Sequence, residues 1–296
     1  AEFSQAGARV CVVTAKDKLR KLLGHGLDMS NAVCFSTEFA DDVTQAEHGI
    51  AEAPIRFAIP SVYSAAVSVA VFGAGVALLE SHKPDLMYLS TTDYIQHLFA
   101  PDEEEALAFT EMVDRYCAQL ADAGARVVLT ADHGMNAKAL PDGQPNVAYL
   151  QKLLDRIAPG AQVILPITDP YVVHHGALGS FATIYLLPGD DAEAVAAELR
   201  DIPAVELVIT AEEAVGVLEL PRDRIGDLCV MARANAVLGT RAEEHDLSQL
   251  TRPLRSHGGL HEQPVPFVSS TPLRRWPDKL RNFDAFDVIL NRMEGG

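Results

Sequence analysis

The chain has 296 residues, 48% of them apolar and 22% charged. That composition is ordinary for a folded protein with a sizeable core and excludes a disordered one. Forty-one acidic residues stand against 24 basic ones, a formal net charge of −17, which argues against nucleic-acid binding because duplex affinity depends on basic side chains displacing counterions. A small anionic substrate is not excluded, since it responds to the local field of its pocket and of any metal held there.

The length allows one large domain or a core with a smaller insert. Cys11, Cys34, Cys117 and Cys229 are far apart and form no CxxC pair. They are expected to be free thiols, and with no signal-peptide pattern the expected location is cytoplasmic.

In chain order, AEFSQAGARVCVVT opens as the tail of a helix running into a strand. A domain seldom starts in mid-unit, so an N-terminal part is expected to be missing. The run ARVCVVTA predicts a strand over residues 8–15, followed by the helical KDKLRKLLG. Residues 57–79 carry no charged side chain and match the ~20 residues needed to span a bilayer. They also contain Pro60, Ser61, Ser64, Ser68, Gly73 and Gly75 among mostly Ala and Val. Such small side chains give little insertion energy, and a buried helix with no membrane contact is expected. A strand over 85–90 (DLMYLS) leads to a helix around 103–121. ARVVLTA over 125–131 predicts a third strand, followed by a loop and a helix around 147–157. Unbroken β-branched runs alternating with helices predict a parallel sheet covered on both faces. In such sheets ligands bind beyond the carboxyl ends of the strands, which directs attention to the residues after Ala15, Ser90 and Ala131.

From Pro159 the rhythm changes. SFATIYLLP and VELVIT read as strands, DDAEAVAAELRDI and AEEAVGVLEL as helices, and GDLCVMARANAVLG as one or two further strands. The expected organisation is an α/β core formed by residues 1–158 and 246–296, with an α+β insert over 159–245. The chain is expected to rejoin the main sheet near 265–268 and to end in a helix over 283–293.

Three segments concentrate possible metal ligands. STTDYIQHLFAP places Asp93 and His97 four residues apart just past a predicted strand, on one face if helical. TADHG carries Asp132 and His133 past another strand. RSHGGLHEQPVPF carries His257 and His261 in a Gly-rich loop. Carboxylate and imidazole are the usual ligands of zinc, manganese or iron. Taken singly, an Asp and a His four apart are more often a solvated pair, and an Asp-His-Gly run reads equally well as a helix cap with a surface imidazole. The conjunction of all three segments is what favours a metal site.

TTDYIQH, TADHGMNAK and LRSHGG, in this order and approximate spacing, resemble the alkaline phosphatase superfamily of two-metal phosphohydrolases. VVTAKDKLRKLLGHGLD, PITDPYVVHHGALGSFATIYL and LRSHGGLHEQPVPF are similar to its phosphonoacetate hydrolase family, and the likeness covers almost all of the chain. It implies an alkaline-phosphatase-like core with a mostly parallel sheet between helices, the insert forming a small cap. It also implies two Zn2+, one held by Asp93, His97 and His257 and the other partly by Asp132 and His133. In the family the second metal is completed by an aspartate and a threonine nucleophile, both preceding TAKDK. Neither Thr14 nor Thr92 stands in that position, so no nucleophile is assigned and the second site is expected to be incomplete. Lys16 and Lys18 match the lysines that contact substrate and stabilise transition-state charge; their other reading is a solvated pair opening a helix.

The implied activity is zinc-dependent hydrolysis of the carbon–phosphorus bond of phosphonoacetate, a small anionic phosphonate, to acetate and phosphate. A phosphodiesterase, phosphomonoesterase or phosphomutase of the same superfamily, or an inert metal-binding fragment, are the alternatives, and homodimerisation is left open. Of the other histidines, His174 and His175 in the insert could line the cleft or be structural. His261 lies close to His257, but the match places the ligand at His257. His25 reads as a helix C-cap or packing residue, and His48, His82 and His245 as solvated. Asp169 and Glu262 are candidates for orienting ligands through hydrogen bonds.

Overall fold

A computed structural model describes residues 1–40, 61, 63–166 and 176–294. They divide into two compact units, one comprising Ala1–Thr130 with Phe267–Gly296 and the other Ala131–Pro266.

In the first unit, a short helix α1 (Glu2–Gln5) runs into β1 (Val10–Thr14), as the opening residues predict. β1 is buried along its whole length and is the central strand of a parallel sheet. It lies between β2 (Ala32–Ser36) and β3 (Leu86–Ser90). VCVVT and AVCFS are continuous apolar runs because both faces of such a strand are covered. The register sets Thr14 opposite both Ser36 and Ser90, so the three carboxyl ends are flush. Helix α2 (Asp17–Gly24) follows β1 directly and ends at His25, which occupies the C-cap position.

Helix α3 (Ala65–His82) covers most of the described part of the long uncharged stretch; residues 57–60 and 62 lie outside the described residues. By length and composition it could cross a membrane. Its fully buried Val67, Val71, Ala74 and Leu78 recur at helical spacing and pack with Val13, Phe35 and Cys11 in one cluster. It is a core helix of this unit. On its other side Phe72 joins Phe109 and Met112 of α5 (Glu104–Asp122) and Ile95 of the short α4 (Tyr94–Leu98).

β4 (Val128–Thr130) pairs antiparallel with β13 (Phe267–Ser269), the segment expected to rejoin the main sheet. Among the described residues these two strands form a sheet of their own, not an extension of β2-β1-β3. The predicted C-terminal helix is a run of mixed geometry. It is 3-10 over Asn282–Asp284, α over Ala285–Asp287 (α9) and π over Val288–Arg292, with Val288 fully buried.

The second unit is built on a four-stranded antiparallel sheet in the order β7-β8-β10-β9, formed by Gln162–Ile164, Phe181–Tyr185, Leu228–Ala232 and Val205–Thr210 respectively. Helix α7 (Ala192–Arg200) starts at Asp191, whose carboxylate accepts the Glu193 and Ala194 N–H groups. Helix α8 (Ala211–Leu218) starts at a reciprocal Thr210–Glu213 capping box. The run GDLCVMARANAVLG is two strands, β10 and β11 (Val237–Gly239).

One expected helix begins later than predicted. Residues 147–149 are a strand, β6 (Val147–Tyr149), because they pair in parallel with β11, and α6 (Leu150–Ile157) starts only after them. Local helical spacing is overridden there by a long-range ladder. The compact unit is accordingly larger than the 159–245 insert. Leu150 and Leu154 of α6 share a core with Ile184, Leu199, Leu228 and Leu238. β5 (Asn136–Ala137) and β12 (Arg255–Ser256) pair with each other in the same unit.

Gly226 precedes β10 at φ +66°, and a Cβ there would run into the carbonyl oxygen of Ile184. Gly226→Ala is expected to destabilise the protein by about 2 kcal/mol or more, from left-handed strain plus a clash with immobile backbone. Chemical denaturation measures this.

Candidate metal centre

The four cysteines are free. Burial pushes the Cys11 thiol up to about 11, against a smaller opposing effect of Arg9, so it is an inert packing group.

In the first unit, Lys16 and Lys18 follow the carboxyl end of β1, and Asp93 follows that of its neighbour β3. Lys16 is the N-cap of α2 in extended conformation, and both lysines are exposed. Between them Asp17 turns inward. Its carboxylate accepts from Arg20 at 2.6 Å, Lys21 at 2.9 Å and Ser36 at 3.3 Å. Burial works to raise the Asp17 pKa, but the bonds and charges of Arg20 and Lys21 hold it below the usual carboxylate range. Asp17 is a residue that sequence reasoning passed over. It anchors the start of α2 and so leaves its two lysine neighbours outside. Thr14 is fully buried, its hydroxyl donating to Lys16 O at 2.9 Å, and Thr92 is buried too.

Asp93 is the N-cap of α4, yet its carboxylate accepts none of that helix's N–H groups. Instead its Oδ2 lies 3.0 Å from Nε2 of His97, one turn on, while the backbone N–H of His97 donates to Asp93 O at 3.0 Å. His97 is 4% exposed. The four-residue spacing is therefore helical, as predicted, and the pair is a carboxylate and an imidazole with their donor atoms together.

In the second unit, Nδ1 of His133 lies 3.0 Å from Gly134 O. A carbonyl only accepts, so Nδ1 is the donor in this bond and Nε2 is the ring nitrogen left to face a ligand. The ring of His257 stacks on that of His133, with centroids 3.6 Å apart and planes within 6°. Asp132 is less engaged: its side chain is 86% exposed, and Oδ2 is 3.8 Å from His133 Nε2. His261 is occupied elsewhere, with Nε2 2.6 Å from Glu206 Oε2.

The same unit holds a buried ion pair between Lys138 and Glu262 at 2.8 Å. Burial works to raise the Glu262 carboxyl, but bonds from Lys138 and Asn136, the Lys138 charge and the Gly259 N–H leave it below its ordinary value. Burial also pulls the Lys138 ammonium down, with Glu262 opposing.

His245 departs from its expected solvation. It is buried, with Nδ1 2.7 Å from Gly176 O and Nε2 accepting the Thr240 N–H at 3.0 Å. Its polar sequence neighbours gave no hint of those partners. His82 is half-buried, with Nδ1 2.8 Å from the Ser81 hydroxyl. His48, Asp169, His174 and His175 lie outside the described residues.

Asp93 and His97 supply a carboxylate and an imidazole in the first unit. Asp132, His133 and His257 supply a carboxylate and two imidazoles in the second. Both are the donor types that hold divalent metal ions.

The family model for type I phosphodiesterase / nucleotide pyrophosphatase matches residues 21–260. The chain is 56% identical to phosphonoacetate hydrolase from Sinorhizobium meliloti 1021, solved in complex with phosphonoformate and with phosphonoacetate. Each match has a TM-score of 0.91 and covers 97% of this chain and 71% of that one. Human ectonucleotide pyrophosphatase / phosphodiesterase 5 matches at 14% identity and a TM-score of 0.56, over 97% of this chain and 67% of that one. At that identity the likeness is one of fold alone, the α/β architecture with a parallel sheet.

Proposed function

We infer that this chain, which belongs to the phosphonoacetate hydrolases within the type I phosphodiesterase / nucleotide pyrophosphatase family of the alkaline phosphatase superfamily, hydrolyses the carbon–phosphorus bond of phosphonoacetate to acetate and phosphate. The observation that carries the reading is the pairing of Asp93 with His97 at the carboxyl end of β3, in a chain so similar to a hydrolase solved with this substrate. We assign Asp93, His97 and His257 to one zinc ion and Asp132 and His133 to part of the site of a second. When bound, the metal supplies Lewis-acid polarisation of the phosphonate oxygens.

Cleavage leaves the bonding electron pair on carbon, where the adjacent carboxylate delocalises it as an enolate before a proton completes the methyl group of acetate. The reaction therefore needs positive charge at both ends of the substrate. Lys16 and Lys18, exposed beyond β1 and held apart by the inward Asp17, are the groups assigned to bind the anion and stabilise that charge. The nucleophile that the resemblance implies is a threonine, and no threonine of this chain is assigned to that role. Residues 159–245 are assigned as the cap of the site.

Phosphate release from phosphonoacetate, dependent on zinc and abolished by a chelator, tests the reading. Preference for a nucleotide diester over phosphonoacetate would move the assignment to the phosphodiesterase branch that the family model also describes. Lys18→Gln is expected to lower kcat/KM for phosphonoacetate by roughly 10–100-fold, the worth of one charge-assisted bond. Its melting temperature should be unchanged, because the side chain is exposed. Steady-state kinetics beside a thermal melt distinguishes that result from simple misfolding.

A further inference from the structure

We propose that Glu262, through its buried pair with Lys138, is a positioning residue that clamps the loop bearing His133 to the loop bearing His257. One fastening would thereby set a ligand of each metal site; the proposal rests on the ligand assignment above.

The contacts converge on one carboxylate that is 2% exposed. From the His133 side, Asn136 Nδ2 donates to Glu262 Oε1 at 2.6 Å, and Lys138 Nζ donates to the same oxygen at 2.8 Å. The Gly134 N–H donates to the Glu262 backbone oxygen at 2.6 Å. From the His257 side, the Gly259 N–H donates to Oε2 at 2.9 Å. Lys138, fully buried, also donates to Ala234 O at 2.8 Å. The two loops approach closely at Gly134, where a Cβ would sit 3.2 Å from the backbone oxygens of Glu262 and Pro264. His133 adjoins Gly134, and His257 is two residues from Gly259, so each ring hangs from a fastened backbone. The parallel stack of the two rings is the geometry those anchors leave.

Stability alone does not call for this arrangement, because a well-packed apolar pair commonly replaces a buried ion pair without loss. What apolar residues cannot do is hold two loops at a fixed offset through directional bonds. The carboxylate of Glu262 bonds to Asn136, Lys138 and the Gly259 N–H, so its influence runs through the loops.

Competition titration of zinc against a chromogenic chelator tests the clamp, with thermal melts on the same samples. Glu262→Gln, which keeps the volume and removes the charge, is expected to weaken zinc binding by roughly 10–100-fold, as loss of groups that orient ligands does. Asn136→Ala, which removes one strut and leaves no charge unpaired, is expected to weaken it several-fold. Leu154→Ala, fully buried in the core of the same unit, is the control. It should lower the melting temperature and leave zinc affinity unchanged. Wild-type affinity in both Glu262→Gln and Asn136→Ala would overturn the clamp, as would an equal loss in Leu154→Ala. No zinc uptake by the unsubstituted protein would overturn the ligand assignment and the clamp with it.

Discussion

Under the proposed ligand assignment, Asp93→Asn is expected to lower zinc affinity by about 100-fold or more, beyond the 10–100-fold typical of groups one step removed from the metal. The substitution is nearly isosteric and leaves the backbone bond from His97 to Asp93 O untouched, so helix α4 should persist. What it removes is the anionic donor beside His97 Nε2. Two neutral imidazoles are a poor match for a divalent cation without a carboxylate to balance its charge. Equilibrium dialysis with zinc, together with phosphate release, checks the prediction. Retention of stoichiometric zinc would remove Asp93 from the ligand set.

Lys138→Met should be the most destabilising single change near the stacked histidines. It leaves Glu262 charged in a site where both partners are essentially inaccessible to solvent. Breaking such a pair from one side costs about 3–5 kcal/mol, which in a protein of this size lowers the melting temperature by on the order of 10 °C. The same pair gives the wild type an acid limit. The pKa of Glu262 is depressed in the folded state. Its stabilising contribution is therefore complete above the unfolded glutamate pKa of about 4.3 and is lost as pH falls through the lower folded value. Calorimetry from neutral to acid pH should show a larger loss in the wild type than in Glu262→Gln, which lacks this carboxylate.

Much of the candidate site's local arrangement was legible because its cause is local. Asp93 and His97 are joined by one helical turn, and a four-residue interval shows that in the sequence alone. Lys16 and Lys18 follow an apolar strand whose carboxyl end is marked by the end of its β-branched run. The long uncharged stretch was separable from a membrane span, over its described part, by its small side chains. What misled was equally physical. Val147, Ala148 and Tyr149 fit a helical pattern until a strand 90 residues on claims them. His245 sits among acidic neighbours and is nonetheless buried against Gly176 and Thr240.

The amino-acid order by itself determined the α/β class, the strand ends that carry the candidate ligands and the kinds of donor available, since all of these follow from periodicity and near-neighbour spacing. Only the tertiary structure decided that Asp17 turns in while its lysine neighbours stay out, that the rings of His133 and His257 stack, and that Lys138 meets Glu262. The last two join positions more than a hundred residues apart, and contacts at that range are selected by the closure and packing of the whole unit, which leaves no periodic trace along the chain.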